Sequence, residues 1–184
     1  MKFSILINCH NQSKYINDCI ISCLNQRYPN FEVIVTDSSF QKLNLKKFVG
    51  KKKFEYIYVG EKYKYPEMNQ MFKIMTGLKK TSGDYICLLD GDDKFSDQKL
   101  RKIFRILKNN KVDLYQDIPV INNKKQKISI FSNNLRNNYF FKNFLISWPQ
   151  VFGTSSITVK RNILMKFFSE AHPFNWKLLA IDIQ

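Results

Sequence analysis

Four short apolar runs in the first half of the chain predict buried β-strands. Each run is bounded by polar or turn-forming residues and is too short for a typical helix. The runs cover residues 3–7, 31–36, 54–59 and 85–89.

Segments between these runs place apolar residues three or four positions apart, which predicts amphipathic helices. The first helix is predicted to have Ser13 as its N-cap, and the second to cover residues 66–80 with Pro66 in its first turn. Ser96 is predicted to cap a third helix, and the basic segment 41–53 predicts a short helix with its loop. The predicted inward face of the second helix holds Met68, Met71, Phe72, Met75 and Leu78. That of the third holds Leu100, Ile103, Phe104 and Leu107.

Strands that alternate with helices predict an α/β fold with a mainly parallel central sheet flanked by helices. The later part of the chain differs. Residues 114–131 predict two strands around a turn at 122–123, and residues 152–168 predict a strand and a short helix. With 184 residues and no internal repeat, one domain is the simplest account. We expect residues 1–109 to form one half of it and residues 110–184 a more irregular second half.

Basic residues outnumber acidic ones by two to one. Lys and Arg total 30 and Asp and Glu total 15, which gives a formal net charge of +15. Such a charge attracts polyanions: nucleic acid, an anionic lipid surface or phosphorylated small molecules. No zinc finger, RNA-recognition signature or helix-turn-helix is evident, so nucleic acid is not expected as a partner. The surplus is interpreted either as a solvated lysine-rich surface or as a peripheral contact with an anionic membrane.

The four cysteines, Cys9, Cys19, Cys23 and Cys87, lie in apolar segments and show no metal-binding spacing. We expect buried, reduced thiols, which fits a reducing compartment. The N-terminal apolar run is too short for a signal peptide. No run approaches the roughly 20 apolar residues of a membrane helix. The sequence therefore predicts a cytoplasmic protein.

An acidic cluster follows the fourth predicted strand, in the stretch GDYICLLDGDD. Asp90, Asp92 and Asp93 lie within four positions of one another. Ligands of open α/β sheets bind beyond the carboxyl ends of the strands, and adjacent carboxylates repel one another unless a cation offsets them. Mg²⁺ or Mn²⁺ bound by one or two carboxylates and phosphate oxygens satisfies both conditions. The alternative is a solvated turn in which Asp is used for its turn chemistry.

Two motifs resemble those of family 2 glycosyltransferases with the A-type fold. The first is SILINCHNQSKYINDCIISCLNQRYPNFEVIVTDSS near the start of the chain, and the second is SGDYICLLDGDD. They occur in the order found in that family, and the resemblance covers residues 3–109. It implies a single Rossmann-like domain that binds a nucleoside-diphosphate sugar.

The same resemblance implies roles for residues on the first two turns. Asn8, His10 and Asn11 correspond to the turn that holds the nucleotide base, where His10 replaces the usual Tyr. Asp37 and Ser38 correspond to an acidic pair that contacts the nucleoside, and Ser38 replaces the second carboxylate.

For the acidic cluster, the resemblance implies the DxD motif of the family. Asp92 corresponds to the acid that binds the metal bridging the donor diphosphate, and Asp90 to the acid near the ribose. Asp93 is expected to support them.

A diphosphate contact of the family is not matched. Many members carry Arg and Asn where this chain has Ile74 and Met75. The contact is therefore expected either to be absent or to come from Asn69 or Lys73.

The acceptor side matches the family only weakly. Asp182 corresponds to the acid that serves as catalytic base, and Trp148 to an acceptor-side residue whose aromatic face stacks on a sugar. Family members usually continue beyond this point, so the chain is expected to be a C-terminally truncated form, a fragment or a minimal enzyme.

The leading hypothesis is an inverting glycosyltransferase that uses a divalent metal and a nucleoside-diphosphate sugar. A UDP-linked donor is favoured only through the family, and the acceptor is a saccharide, a lipid-linked molecule or a protein. One alternative is a catalytically inactive relative that still binds nucleotide. Another is a basic membrane- or nucleic-acid-binding module without nucleotide affinity.

Overall fold

The structure, a computed structural model, describes residues 1–110, 112–117, 120–121, 124–125 and 153–170. Helices and strands alternate through the first half, as the sequence predicts. The elements are β1 (Phe3–Cys9), α1 (Ile16–Leu24), β2 (Phe31–Asp37), β3 (Phe54–Tyr58), α2 (Pro66–Leu78), β4 (Tyr85–Asp90), α3 (Lys99–Asn109), β5 (Leu114–Gln116), β6 (Val120–Ile121), β7 (Lys124–Lys125), β8 (Ile157–Lys160) and α4 (Arg161–Glu170). Single 3₁₀ turns lie at Lys46–Phe48 and Thr154–Ser156.

A six-stranded sheet with the order β3-β2-β1-β4-β8-β5 forms the centre of the molecule. Strands β3, β2, β1 and β4 are parallel to one another, and β8 runs antiparallel to β4 and to β5. Every residue of β1 is buried, because helices cover both faces of the sheet. The mixed α/β fold with a mainly parallel sheet is confirmed.

Two apolar clusters pack on opposite faces of the sheet. One contains Phe3, Ile5 and Ile7 of β1 together with the buried residues of α1 and α3. The other contains Leu6 of β1 with the buried residues of α2 and α4. Successive residues of β1 therefore point to opposite faces, and each face has its own set of helices.

Helix α2 approaches the sheet closely at Gly77. A Cβ at this position would collide with Leu6 Cδ1 and lie 2.9 Å from Thr36 Cγ2. The glycine thus permits backbone-to-sheet packing that any side chain would prevent.

The predicted inward face of α2 is wrong. Of the five residues predicted to face inward, only Met71 and Leu78 are buried; Met68, Phe72 and Met75 are partly exposed. The buried face is rotated around the helix axis relative to the predicted one. Gly77 brings the helix backbone close to the sheet, and the polar side chains of Asn69 and Lys73 are buried with hydrogen-bond partners. The buried residues of the helix are Asn69, Met71, Lys73, Ile74, Gly77 and Leu78.

The predicted N-caps of α1 and α3 are also wrong. Helix α1 begins at Ile16 because residues 12–15 form a turn in which Tyr15 N and Ile16 N both donate to Gln12 O. Helix α3 begins at Lys99, and the carbonyl of Ser96 accepts from Lys99 N. Neither helix has a side-chain cap.

The described part of the second half agrees with the prediction only in part. The sequence predicts a single strand before positions 122–123, but the structure has two, β5 and β6, and β5 pairs with β8 in the central sheet. Strands β6 and β7 pair antiparallel on either side of positions 122–123, and β8 and α4 follow each other as predicted. The division of the domain at residue 109 stays a prediction. In the described ranges, no helix has both the length and the apolar character needed to span a bilayer.

Candidate functional site

The candidate site lies at the carboxyl ends of β1, β2 and β4. Asn8 of β1 is paired with Thr36 of β2 on one side and Asp90 of β4 on the other. The chain leaves β1 toward β2 and returns to β4 on the opposite side, so the strand order reverses between β1 and β4. A crevice at such a reversal is where open α/β sheets bind ligands.

The acidic turn is held against the end of β1. Gly91 N donates to Asn8 O at 2.9 Å, and Asp93 N donates to Asp90 O at 3.0 Å. A Cβ on Gly91 would lie 2.5 Å from Gln12 Oε1 and 3.1 Å from Cys9 Sγ. Only glycine therefore allows the turn to lie this close to the first loop.

Asp92 is exposed, and its carboxylate has no hydrogen bond or ion pair with any residue the structure describes. Asp90, at the end of β4, is partly buried, and its carbonyl accepts from Cys19 Sγ at 3.6 Å. Asp90 is thus the last residue of β4 rather than the first after it, and Asp92 follows the strand with its side chain exposed beside the crevice.

Carboxylate oxygens such as those of Asp90 and Asp92 are the type of ligand that a divalent cation takes. Mg²⁺ in proteins is commonly bound by one or two carboxylates, with substrate phosphate oxygens and waters completing its shell. Among the described residues, no group of three or more His, Cys, Asp or Glu side chains is arranged to hold a metal. Asp90 and Asp92 would supply the protein ligands, with Asp92 the more accessible one.

Ser155 fixes the acidic turn from the other side. Its Oγ accepts from Asp90 N at 3.0 Å and donates to Asp93 Oδ2 at 2.5 Å. Because β8 runs antiparallel to β4, the 3₁₀ turn before β8 reaches the carboxyl edge of the sheet. Sequence reasoning missed Ser155; its signal is a hydroxyl run, TSS, inside the segment that the sequence predicts as a strand. Asp93 is thus committed to the turn, which agrees with the supporting role expected of it.

Asp37 is fully buried and bound by its own loop. Its Oδ1 accepts from Ser39 N at 2.8 Å and Ser39 Oγ at 2.5 Å. Its Oδ2 accepts from Tyr56 OH at 2.6 Å and Leu43 N at 3.3 Å. Burial, and then the neighbouring Asp37, raise the pKa of Tyr56, so the phenol stays a donor. Asp37 therefore shapes the loop after β2, and its contact with a nucleoside stays a prediction.

His10 lies at the rim of the site and joins the first two loops. Its Nδ1 is 3.0 Å from Ser38 O and 3.2 Å from Ser38 Oγ, and Asn11 Nδ2 is 3.1 Å from its Nε2. His10 keeps 39% of its side chain exposed, with Glu61 Oε1 3.7 Å from Nε2. Ser38 is 1% exposed. The structure thus brings His10, Asn11 and Ser38 together, and their contact with a nucleotide stays a prediction.

Asn11 adopts a left-handed backbone conformation, with φ of 55°. Its N–H donates to Ser39 Oγ at 2.8 Å, and its Oδ1 accepts from Phe40 N at 3.1 Å. Asn tolerates this conformation better than most residues. The conformation locks the first loop onto the second.

Phe40 is an aromatic residue that sequence reasoning missed. Its side chain is 72% exposed, and its ring packs edge-on against His10 with centroids 5.5 Å apart. An exposed aromatic beside an imidazole provides a surface on which a planar base can stack. The sequence signal is a lone Phe directly after the polar turn DSS.

Lys73 is buried next to the candidate site. Its side chain comes from α2, is 6% exposed, and donates from Nζ to Cys9 O at 3.1 Å. Burial lowers the pKa of Lys73, while the fields of Cys9, Asp90 and Asp37 act in the opposite direction. Lys73 therefore places a cationic group between the acids that end β2 and β4.

Asn69 is committed to a neighbouring loop rather than to the crevice. Its Oδ1 accepts from Lys62 N and Tyr63 N at 3.0 and 2.8 Å, and its Nδ2 donates to Tyr63 O at 2.6 Å. Of the two residues predicted to replace the missing diphosphate contact, only Lys73 lies beside the acidic residues.

Asn8 lies beneath the site and is 3% exposed. Its Oδ1 accepts from Thr36 Oγ1 at 3.3 Å, and its Nδ2 has no hydrogen-bond partner among the described residues. An unsatisfied buried donor costs about 1–3 kcal/mol. Asn8 thus holds an unused donor below the ends of β1 and β2.

Cys9 adjoins the site but is not a nucleophile. Burial, and then the neighbouring Asp37, raise the pKa of Cys9 to about 12, so the thiol is neutral near neutral pH. All four cysteines are free and buried, as the sequence predicted. Trp148 and Asp182, predicted for the acceptor side and the catalytic base, lie outside the described residues.

A family model described as glycosyl transferase family 2 matches residues 4–168. An uncharacterised glycosyltransferase of Haemophilus influenzae is 33% identical over 112 residues, covering 58% of this chain and 42% of that protein. The poly(ribitol-phosphate) beta-glucosyltransferase of Bacillus spizizenii is 31% identical over 126 residues, covering 62% of this chain and 18% of that protein. The chain thus spans less than half the length of these relatives.

Solved structures share the fold at low sequence identity. Residues 1–349 of S. aureus TarS, in complex with UDP-GlcNAc, superpose with a TM-score of 0.68 at 18% identity, covering 98% of this chain and 53% of that one. A mannosyltransferase from Pyrobaculum calidifontis, in complex with GDP-Man and Mn²⁺, gives a TM-score of 0.58 at 15% identity, covering 90% and 46%. The sheet order and the match over residues 4–168 lead to the same conclusion: the chain belongs to glycosyltransferase family 2 and has its A-type fold.

Proposed function

We propose that this chain is an inverting glycosyltransferase that moves a sugar from a nucleoside-diphosphate donor to an acceptor hydroxyl. The observation that carries the proposal is the exposed Asp92 carboxylate. It follows β4 beside Asp90 at the reversal of strand order and has no partner among the described residues. Membership in the family supports it.

The donor diphosphate would lie above the acidic turn. Mn²⁺ or Mg²⁺, when bound through Asp92 and Asp90, neutralises charge on the departing diphosphate. Ser155 holds the turn at both Asp90 N and Asp93 Oδ2, which fixes the backbone that carries Asp90 and Asp92. Lys73 adds positive charge from below the crevice.

The nucleoside would lie over the loops that follow β1 and β2. His10 and the exposed Phe40 provide a stacking surface, and Asn11 fixes the two loops relative to each other. We infer a UDP donor. This is supported by TarS, which was solved with UDP and with UDP-GlcNAc. GDP is the competing nucleotide, because the mannosyltransferase was solved with GDP-Man.

The acceptor would be activated from the second half of the chain. We propose that Asp182 takes the proton of the acceptor hydroxyl as general base, while Trp148 stacks on the acceptor. The hydroxyl then attacks the anomeric carbon from the face opposite the diphosphate, through an oxocarbenium-like transition state. No protein nucleophile is needed, which agrees with the neutral thiol of Cys9.

A second candidate function is nucleotide binding without turnover. It is favoured by Ser38, which stands where the family carries a carboxylate and is buried against His10. We further propose that the acceptor is a saccharide, a lipid-linked molecule or a protein. We also propose that the protein is cytoplasmic and makes peripheral contact with an anionic membrane. The charge of +15 supports that contact.

Calorimetric titration of UDP in the presence and absence of Mn²⁺ tests the nucleotide site. We expect wild type to bind UDP more tightly with Mn²⁺, and Asp92→Asn to lose the metal-dependent part. The free energy of unfolding of Asp92→Asn should match that of wild type, because the side chain has no described partner to lose.

Asp97→Asn is the matched control. Asp97 is partly exposed, precedes α3 and pairs with Arg27 at 2.7 Å, so the substitution removes one charge without touching the acidic turn. Equal UDP binding by wild type and Asp92→Asn in Mn²⁺ would contradict the metal site. Hydrolysis of UDP-sugars by wild type, absent in Asp92→Asn, separates an active enzyme from a nucleotide-binding relative.

A further inference from the structure

The loop between β2 and β3 carries an unusual concentration of positive charge. Residues 42–53, called here the basic loop, contain six lysines and no acidic residue. None of the six forms an ion pair within the described part of the chain. The proposed sugar transfer makes no use of this loop.

The basic loop is anchored in the core. Leu45 and Phe48 are 3% and 2% exposed and belong to the apolar cluster shared with α1 and α3. Phe48 N donates to Leu45 O at 2.9 Å, and Lys51 N donates to Phe48 O at 3.2 Å. Gly50 takes a φ of 85° to close the turn. The loop is therefore an ordered surface rather than a loose tail.

Four of its lysines surround an exposed aliphatic residue. Val49 is 67% exposed, and its neighbours Lys46, Lys47, Lys51 and Lys52 are all exposed. The ammonium groups of Lys47 and Lys51 lie 5.0 and 5.4 Å from the centroid of the Phe48 ring. This contact keeps two of the charges beside Val49.

The basic loop lies away from the candidate site at its C-terminal end. Lys53 donates from Nζ to Pro29 O at 2.7 Å, just before β2 begins. The end of the loop is therefore at the amino edge of the sheet, whereas the acidic turn is at the carboxyl edge. The C-terminal end of the loop is therefore separate from the acidic turn.

We propose that the basic loop docks the protein on an anionic lipid surface, with Val49 entering the interface. Lysines near such a surface are each attracted to its negative potential, and an aliphatic side chain between them gains by burial at the headgroup boundary. A nucleic acid would match the charge but would offer Val49 no apolar phase. The acidic neighbour Asp18 does not cancel the charge, because its carboxylate is paired with Lys94 at 2.7 Å.

Vesicle co-sedimentation tests this docking. The probes are phosphatidylcholine vesicles with and without phosphatidylserine, each at low and high salt. We expect wild type to bind only the phosphatidylserine vesicles, with binding lost at high salt. Combined substitution of Lys46, Lys47, Lys51 and Lys52 by Gln should weaken binding by about a thousandfold. Val49→Ser, which changes no charge, should weaken it about fivefold.

The matched control removes four charges elsewhere. Lys79, Lys80, Lys102 and Lys108 are also exposed, and their combined substitution by Gln gives the same net charge as the loop variant. Equal weakening by both sets would overturn the proposal in favour of a general effect of charge. No binding by wild type at low salt, unchanged binding by Val49→Ser, or loop-dependent binding of RNA but not of vesicles would overturn it as well. Thermal unfolding checks that each variant is folded, and UDP titration reports separately on the nucleotide site.

Discussion

Lys73 is a residue whose position is explained by three neighbouring groups at once. Its ammonium group binds the carbonyl of Cys9, and the fields of Asp37 and Asp90 favour its charged form. A buried lysine without such partners would be costly. The same three groups define the floor of the crevice, so the lysine offsets negative charge before any ligand is present.

Lys73→Met should therefore weaken UDP binding in Mn²⁺ by about tenfold or more, since hydrogen bonds and charge interactions of an ionised group contribute about 1.5–3 kcal/mol. Lys79→Met removes the same charge from the exposed C-terminal end of α2 and should bind UDP like wild type. Titration calorimetry on the two variants measures the difference. Equal affinities would mean that Lys73 serves only the packing of α2.

The sequence predicts the acidic turn correctly but the buried face of α2 incorrectly. Both outcomes have a physical reason. Asp90 and Asp92 directly follow an apolar strand, so their position depends on local pattern alone. Lys73 is buried because its ammonium group donates to a carbonyl of β1. Asn69 is buried because its side chain forms hydrogen bonds with the backbone of residues 62–63. The partner of Lys73 is 64 residues away, and those of Asn69 lie in the loop before α2. Apolar spacing reveals neither contact.

At the scale of elements, Glu32 joins three strands at the amino edge of the sheet, opposite the site. Its carboxylate, on β2, accepts from Lys2 Nζ and Ser4 Oγ at 2.6 Å, and from Ser82 N at 2.6 Å just before β4. Burial alone would raise the pKa of Glu32, but the hydrogen bonds from Lys2, Ser4 and Ser82 outweigh it and lower the pKa. The carboxylate therefore stabilises the order in which β2, β1 and β4 pair.

Glu32→Gln should lower the free energy of unfolding by about 1–3 kcal/mol near neutral pH. Because the folded pKa lies below the ordinary value of 4.5, this stabilisation is fully present above about pH 4.5 and is lost as the pH falls through the folded pKa. Urea unfolding at several pH values should thus show wild type and variant converging in acid. Glu55→Gln, on the exposed side of the edge strand β3, is the control and should have little effect. A gap between Glu32→Gln and wild type that stays constant into strong acid would contradict this role.

The starts of α1 and α3 show why element ends are harder to predict than elements. Apolar spacing identified both helices, but a serine near the start of each suggested a cap that does not form. The turn after β1 uses Gln12 O for the first two donors of α1, and Gln26 Oε1 accepts from Leu100 N at the start of α3. Tertiary contacts thus replace the side-chain caps.

At the scale of the whole molecule, all four thiols are enclosed by the sheet and its helices. Burial raises the pKa of Cys87 to about 12, as it does for Cys9. The hydrogen bond with Cys23, and then burial, raise the pKa of Cys19. All four thiols are therefore inaccessible in the folded chain, and those of Cys9, Cys19 and Cys87 are neutral near neutral pH.

Native protein should accordingly show no rapid reaction with Ellman's reagent at about pH 8, where an ordinary exposed thiol is partly ionised. Four equivalents should react once the protein is unfolded in guanidinium, because the chain contains four cysteines. Asn109→Cys, at the exposed end of α3, should add one rapid equivalent and proves that the assay detects an accessible thiol. A rapid equivalent in the native wild type would show that one of the buried segments opens readily.

The fold was predictable at this scale because alternating strands and helices allow few arrangements. The full set of site residues was not predictable. Ser155 contacts the acidic turn only because β8 runs antiparallel to β4. Sequence pattern gives no sign of which edge of a sheet a late strand approaches.

The contact between Ser155 and the acidic turn also has a consequence for biosynthesis. It spans 65 residues to Asp90 and 62 to Asp93, whereas β1 to β4 pair within the first half of the chain. Chains fold from the N-terminus as the ribosome makes them, so the parallel part of the sheet can assemble while residue 155 is still in the ribosome. We expect the acidic turn to gain its final geometry only when the segment before β8 emerges.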